Sequence, residues 1–171
     1  MVTDIMLSKY HVSASLINSI MRHPDIYVMS TETPEIDPNN YDFGHLYLED
    51  DRVHFWLMGK GRFEGLTPKM EEGTGYILYR QRGWHIYSIH CGFIKGYRGR
   101  MALRAVELLN LVMFCKFEAK VITAEIPDHN TPAKRLAIAC GFQRVGRYTD
   151  GWTVAGKSHD LILYEALPCL A

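Results

Sequence analysis

The spacing of apolar residues changes near residue 100, and that change separates two kinds of predicted element. Before it, "RVHFWLM" (52–58), "GYILYRQ" (75–81) and "WHIYSIHCGFI" (84–94) are rich in aromatic and β-branched residues and bounded by Gly or charged residues, so each predicts a strand. In the last of these, strand periodicity puts Ile86, Ser88, His90 and Gly92 on one face and Tyr87, Ile89, Cys91 and Phe93 on the other. "RFEGLTPKMEEG" (62–73) is ambiguous and reads as a further strand followed by a hairpin. After residue 100, "RMALRAVELLNLVMFCKF" carries Arg100, Arg104, Glu107 and Asn110 at helical spacing, a narrow polar stripe that predicts a mostly buried helix.

The remaining elements follow from caps and breakers. Residues 13–22 predict a short amphipathic helix with Ser13 as cap and Pro24 just past its end, and residues 30–42 predict a loop. "AKVITAEIP" (119–127) predicts a strand ended by Pro127. "TPAKRLAIAC" predicts a helix capped by Asn130, with Pro132 in its first turn and Gly141 just past its end. "GFQRVGRY" and "HDLILYEAL" (159–167) predict two closing strands joined by a polar loop over 149–160. A strand–helix–strand crossover at 84–126 requires part of the sheet to be parallel. The expectation is an α/β (α+β) fold with a mixed central sheet and helices on both faces, built as one domain over residues 1–171.

Composition narrows the partners. With 47% hydrophobic and 22% charged residues the chain has enough apolar surface for a core. Lys plus Arg and Asp plus Glu balance at 19 each, so any anion site must be local, and no nucleic-acid partner is expected. The start of the chain lacks the apolar core of a signal peptide, and the longest apolar stretch is too short for a bilayer, so no membrane partner is expected. Four dispersed cysteines (Cys91, Cys115, Cys140, Cys169) predict buried thiols in a reducing, cytoplasmic setting. His85, His90 and His129 show no ligand spacing, and no metal is expected. Trp56, Trp84 and Trp152 read as packing or pocket-lining residues, and "VHFWLM" belongs either in a core or at the seam of a homodimer.

Chemistry concentrates where the period changes. Lys95, Arg98 and Arg100, spaced by Gly96 and Gly99, precede the long helix. A helix N-terminus presents unpaired N–H groups with positive partial charge, and glycines let backbone approach a ligand. This junction is either a phosphate cradle or an ordinary basic helix start.

One strand and one helix later comes "NTPAKRLAIACGF" (130–142). The two blocks in this order resemble the GNAT family, the Gcn5-related N-acetyltransferases. "FIKGYRGRMAL" (93–103) is similar to the family's V-x-P-x-Y-R-G-x-G-x-G/A turn through Phe93, Tyr97, Arg98 and Gly99. Asn130, Ala133, Leu136, Gly141 and Phe142 match the second block, Asn-x-x-Ala-x-x-Leu-Tyr-x-x-x-Gly-Phe. The likeness covers about residues 84–165, whereas residues 1–83 fit only loosely. It also touches phage-encoded members of the family.

The resemblance implies acetyl-CoA as co-substrate. Its pyrophosphate would rest on backbone from Tyr97 through Arg98, Gly99, Arg100, Met101 and Ala102 to Leu103. Its pantetheine arm would pair near Gly92, Phe93 and Ile94, in the splay between two parallel strands. Asn130 and Ala133 would face that arm, and Lys134 would reach a phosphate. His90 and Glu125 are the candidate bases, each with a plain alternative: a hydrogen-bonded strand histidine and a surface carboxylate. Met101 and Leu103 stand where the family's turn has small residues, and Ala137 stands at the tyrosine that many members use as acid. Tyr148 and Cys140 are the nearby groups with a proton to give. Tyr148 and Trp152 would border the acceptor, a small-molecule or peptide amine. The rival expectation is a catalytically weak or inactive protein with a structural, assembly or accessory role.

Overall fold

The protein is described by a computed structural model that covers residues 3–30, 37–64, 67–154 and 156–168. Its elements run β1 (Thr3–Ser8), α1 (Ala14–Met21), α2 (Pro24–Ser30), α3 (Phe43–Glu49), β2 (Val53–Glu64), β3 (Thr67–Gly83) and β4 (Ile86–Phe93). They continue with α4 (Arg100–Lys116), β5 (Val121–Pro127), α5 (Thr131–Ala139), β6 (Gln143–Val154) and β7 (Lys157–Ala166). The strands form one seven-stranded mixed sheet in the order β1-β2-β3-β4-β5-β7-β6. β4 and β5 are parallel, so the crossover expected at 84–126 is present as β4–α4–β5. By its contacts the chain divides into two compact units: one ends at Tyr79 and also takes Cys91–Tyr97, and the other takes Arg80–His90 and everything from Arg98 onward.

In the first unit, three caps organise three short helices. The Ser13 hydroxyl accepts the Leu16 N–H at 3.3 Å, starting α1 as expected. Pro24 does more than follow α1. It opens α2, where a proline costs no hydrogen bond, and His23 Nδ1 accepts the Asp25 N–H at 3.2 Å. Asp42 caps α3, its carboxylate accepting the His45 N–H at 3.0 Å and the Asn18 amide at 2.9 Å. Those bonds hold the Asp42 carboxyl below its usual range, with the His45 bond contributing most. Neither α2 nor α3 was expected, and Pro38–Asn40 within the expected 30–42 loop is a helical turn. Both helices are seven residues long, too short for periodicity to stand out.

Ile17, Ile20 and Met21 of α1 pack with Ile26 of α2, Val53, Phe55 and Leu57 of β2, and Tyr76 and Leu78 of β3. One face of "VHFWLM", Val53, Phe55 and Leu57, therefore lies in a core, with Phe55 stacked on Tyr76 at 5.7 Å, while His54 and Trp56 on the other face are half-buried. In the ambiguous 62–73 segment, residues 62–64 end β2 and residues 67–73 start β3, while 65–66 lie outside the described residues.

In the second unit, α4 buries Ala102, Ala105, Val106, Leu109 and Met113. The expected narrow polar stripe is wrong in its details. Asn110 is buried, whereas Leu108 and Leu111 are 51% and 58% exposed, so the solvent face is broad and partly apolar. β5 alternates as a half-buried strand should, with Ile122, Ala124 and Ile126 inward and Glu125 outward. Within the expected loop at 149–160, residues 149–154 and 157–160 are instead strand. β6 and β7 form a long hairpin that pairs as far as Val154 and Lys157, with irregularities between Arg144 and Gly146 and between Tyr148 and Trp152. Asp150, at φ 51° within the second irregularity, donates its N–H to the Asp160 carboxylate at 3.2 Å. Gly-rich composition signalled a loop where it marks a bulged hairpin.

Two smaller corrections concern exposure. Trp84 precedes β4 rather than opening it, in a turn where His85 adopts φ 60°, and it is 85% exposed rather than packed. Cys91 and Cys140 are half-buried and Cys115 is exposed, rather than all buried as expected, and Cys169 lies outside the described residues.

Candidate functional site

Within the second unit, β4 and β5 pair only through Ile86↔Val121, Tyr87↔Ile122 and Ser88↔Thr123. Both strands run on past that point. β5 stays paired to β7 from Ile122 to Pro127, so its far side is fixed while its β4 side is released. His90 and Glu125 each stand two residues beyond the last pair, and both are exposed. The sequence offers the two as separate candidate bases on successive strands, and parallel register brings them to equivalent positions.

Sequence reading missed the surroundings of His90. Ser88 is buried, and its hydroxyl accepts the Arg82 Nε–H at 3.0 Å and donates to the Arg80 carbonyl at 3.5 Å. The Arg80 Nε–H is buried with no hydrogen-bond partner. Desolvation first, then the positive charges of Arg82 and Arg80, lower His90 from its ordinary range to about 4. Water reaches the residue, so solvent screening moderates that depression, and its direction leaves the imidazole neutral at pH 7. β-Hairpin register between β3 and β4 is the signal that would have found this arrangement.

α4 starts at Arg100 after Gly99, whose φ of 83° and ψ of −127° suit glycine alone. No side chain caps this start, and the first helical bond runs from the Leu103 N–H to the Gly99 carbonyl at 2.9 Å. The N–H groups of Arg100, Met101 and Ala102 thus belong to the open first turn. Arg98 and Arg100 are exposed, Met101 and Leu103 are half-buried, and Ala102 faces the core.

The second block is a capped helix, as expected. Asn130 Oδ1 accepts the Ala133 N–H at 3.2 Å, and Pro132 occupies the first turn. Lys134 donates from Nζ to the Asp128 carbonyl at 2.6 Å. Ala137 is 7% exposed and its carbonyl accepts the Phe142 N–H at 3.0 Å. Cys140 Sγ lies 4.0 Å from the Leu103 carbonyl, and desolvation, with a smaller contribution from Glu107, pushes its thiol up to about 12. Tyr148 stands 56% exposed on β6, paired with Leu161 at the edge of the bulge.

The first unit holds the other half of the basic turn. A Cβ on Gly92 would lie 2.7 Å from a Tyr76 ring carbon and 3.1 Å from Ile26 Cγ2, so packing alone accounts for this glycine. The Ile94 N–H donates to the Thr74 carbonyl at 3.0 Å, and its carbonyl accepts the Tyr97 N–H at 2.8 Å. The Lys95 N–H donates to Asp25 Oδ2 at 2.9 Å, and Lys60 Nζ sits 5.8 Å from the centre of the Tyr97 ring. Phe93 is buried.

At the level of sequence the chain matches no protein-family model and no curated protein. At the level of structure it is similar to the ribosomal-protein-S5-alanine acetyltransferase of Vibrio fischeri, at 15% identity and a TM-score of 0.70 over 97% of this chain and 92% of that one. It is similar also to the spermidine N-acetyltransferase of Vibrio cholerae, solved in complex with CoA and spermine, at 14% identity and a TM-score of 0.73 over 97% and 95%. An acetyltransferase of the GNAT family from Bacillus anthracis aligns at 20% identity and a TM-score of 0.65 over 90% and 88%. The strand order, the parallel crossover and these likenesses lead to one conclusion: the chain has the fold of the GNAT acetyltransferases.

Proposed function

We propose that the protein is an acetyl-CoA-dependent N-acetyltransferase that acts by direct attack of an amine in a ternary complex. The observation that carries this reading is the early end of the β4–β5 pairing, in a fold shared with an N-acetyltransferase solved with CoA. Where the two strands cease to pair with each other, the facing edge of β5 suits an extended ligand, and the amide-bearing pantetheine arm has the matching groups. The open first turn of α4, with Arg98 and Arg100, suits the pyrophosphate. By the match of the second block, Asn130 and Ala133 would face the pantetheine arm and Lys134 would reach a phosphate. For Gly92, Phe93, Ile94 and Tyr97 the assignment rests on the motif alone.

Acetyl-CoA supplies an activated thioester. The acceptor's ammonium proton passes to neutral His90 or to Glu125, directly or through water. The amine lone pair then forms the C–N bond as the C–S bond breaks. The departing thiolate takes its proton from water or from Tyr148, since Ala137 has none to give, and that donor is restored by the proton the newly acylated nitrogen releases. The neighbours act on a ribosomal-protein alanine and on spermidine, and the acceptor here is a small-molecule or peptide amine.

Calorimetric titration with acetyl-CoA, followed by thiol release across a panel of polyamines and peptides, tests this. Stoichiometric binding and amine-dependent release support it. No binding at millimolar acetyl-CoA rejects it. A second reading, a coenzyme A-binding protein with a structural or interaction role, is favoured by Ala137. It predicts binding without release for every amine.

A further inference from the structure

We propose that Asp128, His129 and His159 form a site for one divalent first-row transition ion of the Zn²⁺ or Co²⁺ type. The three residues each offer a ligand atom, and these atoms lie within 4.8 Å of one another. His159 Nδ1 is 3.2 Å from Asp128 Oδ1, and His129 Nδ1 is 3.8 Å from the same oxygen. The two imidazole rings lie 4.1 Å apart, centre to centre. Metal–ligand bonds of about 2.0–2.2 Å at tetrahedral angles hold neighbouring ligand atoms about 3.3 Å apart. The two separations to Asp128 Oδ1 are within about 0.5 Å of that value, and with all three ligand atoms inside 4.8 Å of one another, binding requires exposed His129 to turn towards His159.

The backbone beneath the cluster is fixed by the sheet. The Asp128 N–H donates to the Asp160 carbonyl at 2.8 Å, joining the end of β5 to β7 beside His159. Pro127 pairs with Leu161, and His159 pairs with Trp152 across the β6–β7 hairpin. The Asn130 N–H donates to the Pro127 carbonyl at 2.9 Å, so the two residues between them are held in a tight turn. Ligands on such a support keep their spacing without an ion to impose it.

Donor chemistry selects the ion. Two imidazoles and one carboxylate suit zinc, cobalt or nickel, whereas calcium and magnesium take mostly oxygen ligands. Lys134, bonded to the Asp128 carbonyl, adds positive charge beside the loop and further disfavours an ion held by charge alone. His129 and Asp128 are exposed and His159 is half-buried, so water can complete the coordination. Sequence spacing hid the site. Asp128 and His129 adjoin, but His159 arrives only through β7.

The test is titration of the full chain, prepared without a polyhistidine tag and stripped with chelator, with Co²⁺ and then Zn²⁺. One equivalent of cobalt should give visible ligand-field bands without the near-ultraviolet sulfur-to-cobalt band, and zinc should displace it. His159→Ala and His129→Gln should each weaken binding by at least about tenfold. Circular dichroism checks the fold, and exposed His129 keeps the test valid if His159→Ala unfolds. No binding at millimolar Co²⁺, a sulfur band that assigns the ion to cysteine, or unchanged affinity in folded His129→Gln would each overturn the proposal.

Discussion

His90 and Glu125 occupy matching places on two parallel strands, each two residues past the final pair of Ser88 and Thr123. Beyond that pair the strands no longer bond to one another, so the two candidate bases stand on either side of the same interruption. If either takes the substrate proton, His90→Ala or Glu125→Gln should reduce kcat by about 10²-fold with acetyl-CoA affinity unchanged. Steady-state kinetics alongside calorimetry would check this. Unaltered kcat in one variant removes that residue from the role.

Because desolvation and the charges of Arg80 and Arg82 lower His90, its titration by NMR should have a midpoint below the ordinary 6.5. The unfolded chain then binds a proton that the folded chain refuses. Stability should therefore fall as pH drops from 6.5 towards 4 and be insensitive to this group above 6.5. Urea unfolding at a series of pH values would show this slope, and His90→Gln should reduce it.

Replacing Arg98 and Arg100 together by Ala should weaken acetyl-CoA binding by roughly 10–100-fold, the loss expected of one charge-assisted hydrogen bond of about 1.5–3 kcal/mol. Affinity in the parent protein should also fall with added salt. Binding that ignores both the double variant and the salt would move the phosphates elsewhere.

Gly99→Ala forces a side chain into φ 83°, at a cost of about 1–3 kcal/mol. Gly92→Ala should cost a similar amount for a different reason, since its methyl would press on Tyr76 and Ile26. Denaturant midpoints measure both. Acetyl-CoA affinity per folded molecule should drop for Gly99→Ala.

Thiol chemistry should separate the described cysteines. Cys115 is exposed, while the Cys140 thiol is raised to about 12 and stays protonated at pH 8. Brief alkylation followed by peptide mass mapping should find Cys115 modified well before Cys140. Equal labelling would show that Cys140 is not desolvated.

Long elements with a strong period were legible from residues alone. β2, β3, α4, β5 and α5 carry enough apolar positions to declare themselves, and Ser13 and Asn130 announced their helices by capping chemistry. α2 and α3 were not legible from periodicity, because seven residues carry less than two full turns of pattern, although His23 and Asp42 bond locally to the Asp25 and His45 N–H groups. The 149–160 segment misled because glycine and polar residues look alike in a loop and in a bulged edge strand. At the site, Gly99 and the basic turn were visible in the sequence. The Arg80–Ser88–Arg82 arrangement and the meeting of Asp128 with His159 depend on strand register, which no local spacing encodes.

The Lys95 N–H is held by a carboxylate that lies 70 residues earlier in the chain, on α2, and the next residue of that helix, Ile26, presses against Gly92. Helix and turn are thereby clamped at two adjacent points. The Lys95 amide should exchange with deuterated solvent only as often as α2 lifts away, and its exchange rate becomes a clock for the opening of that helix.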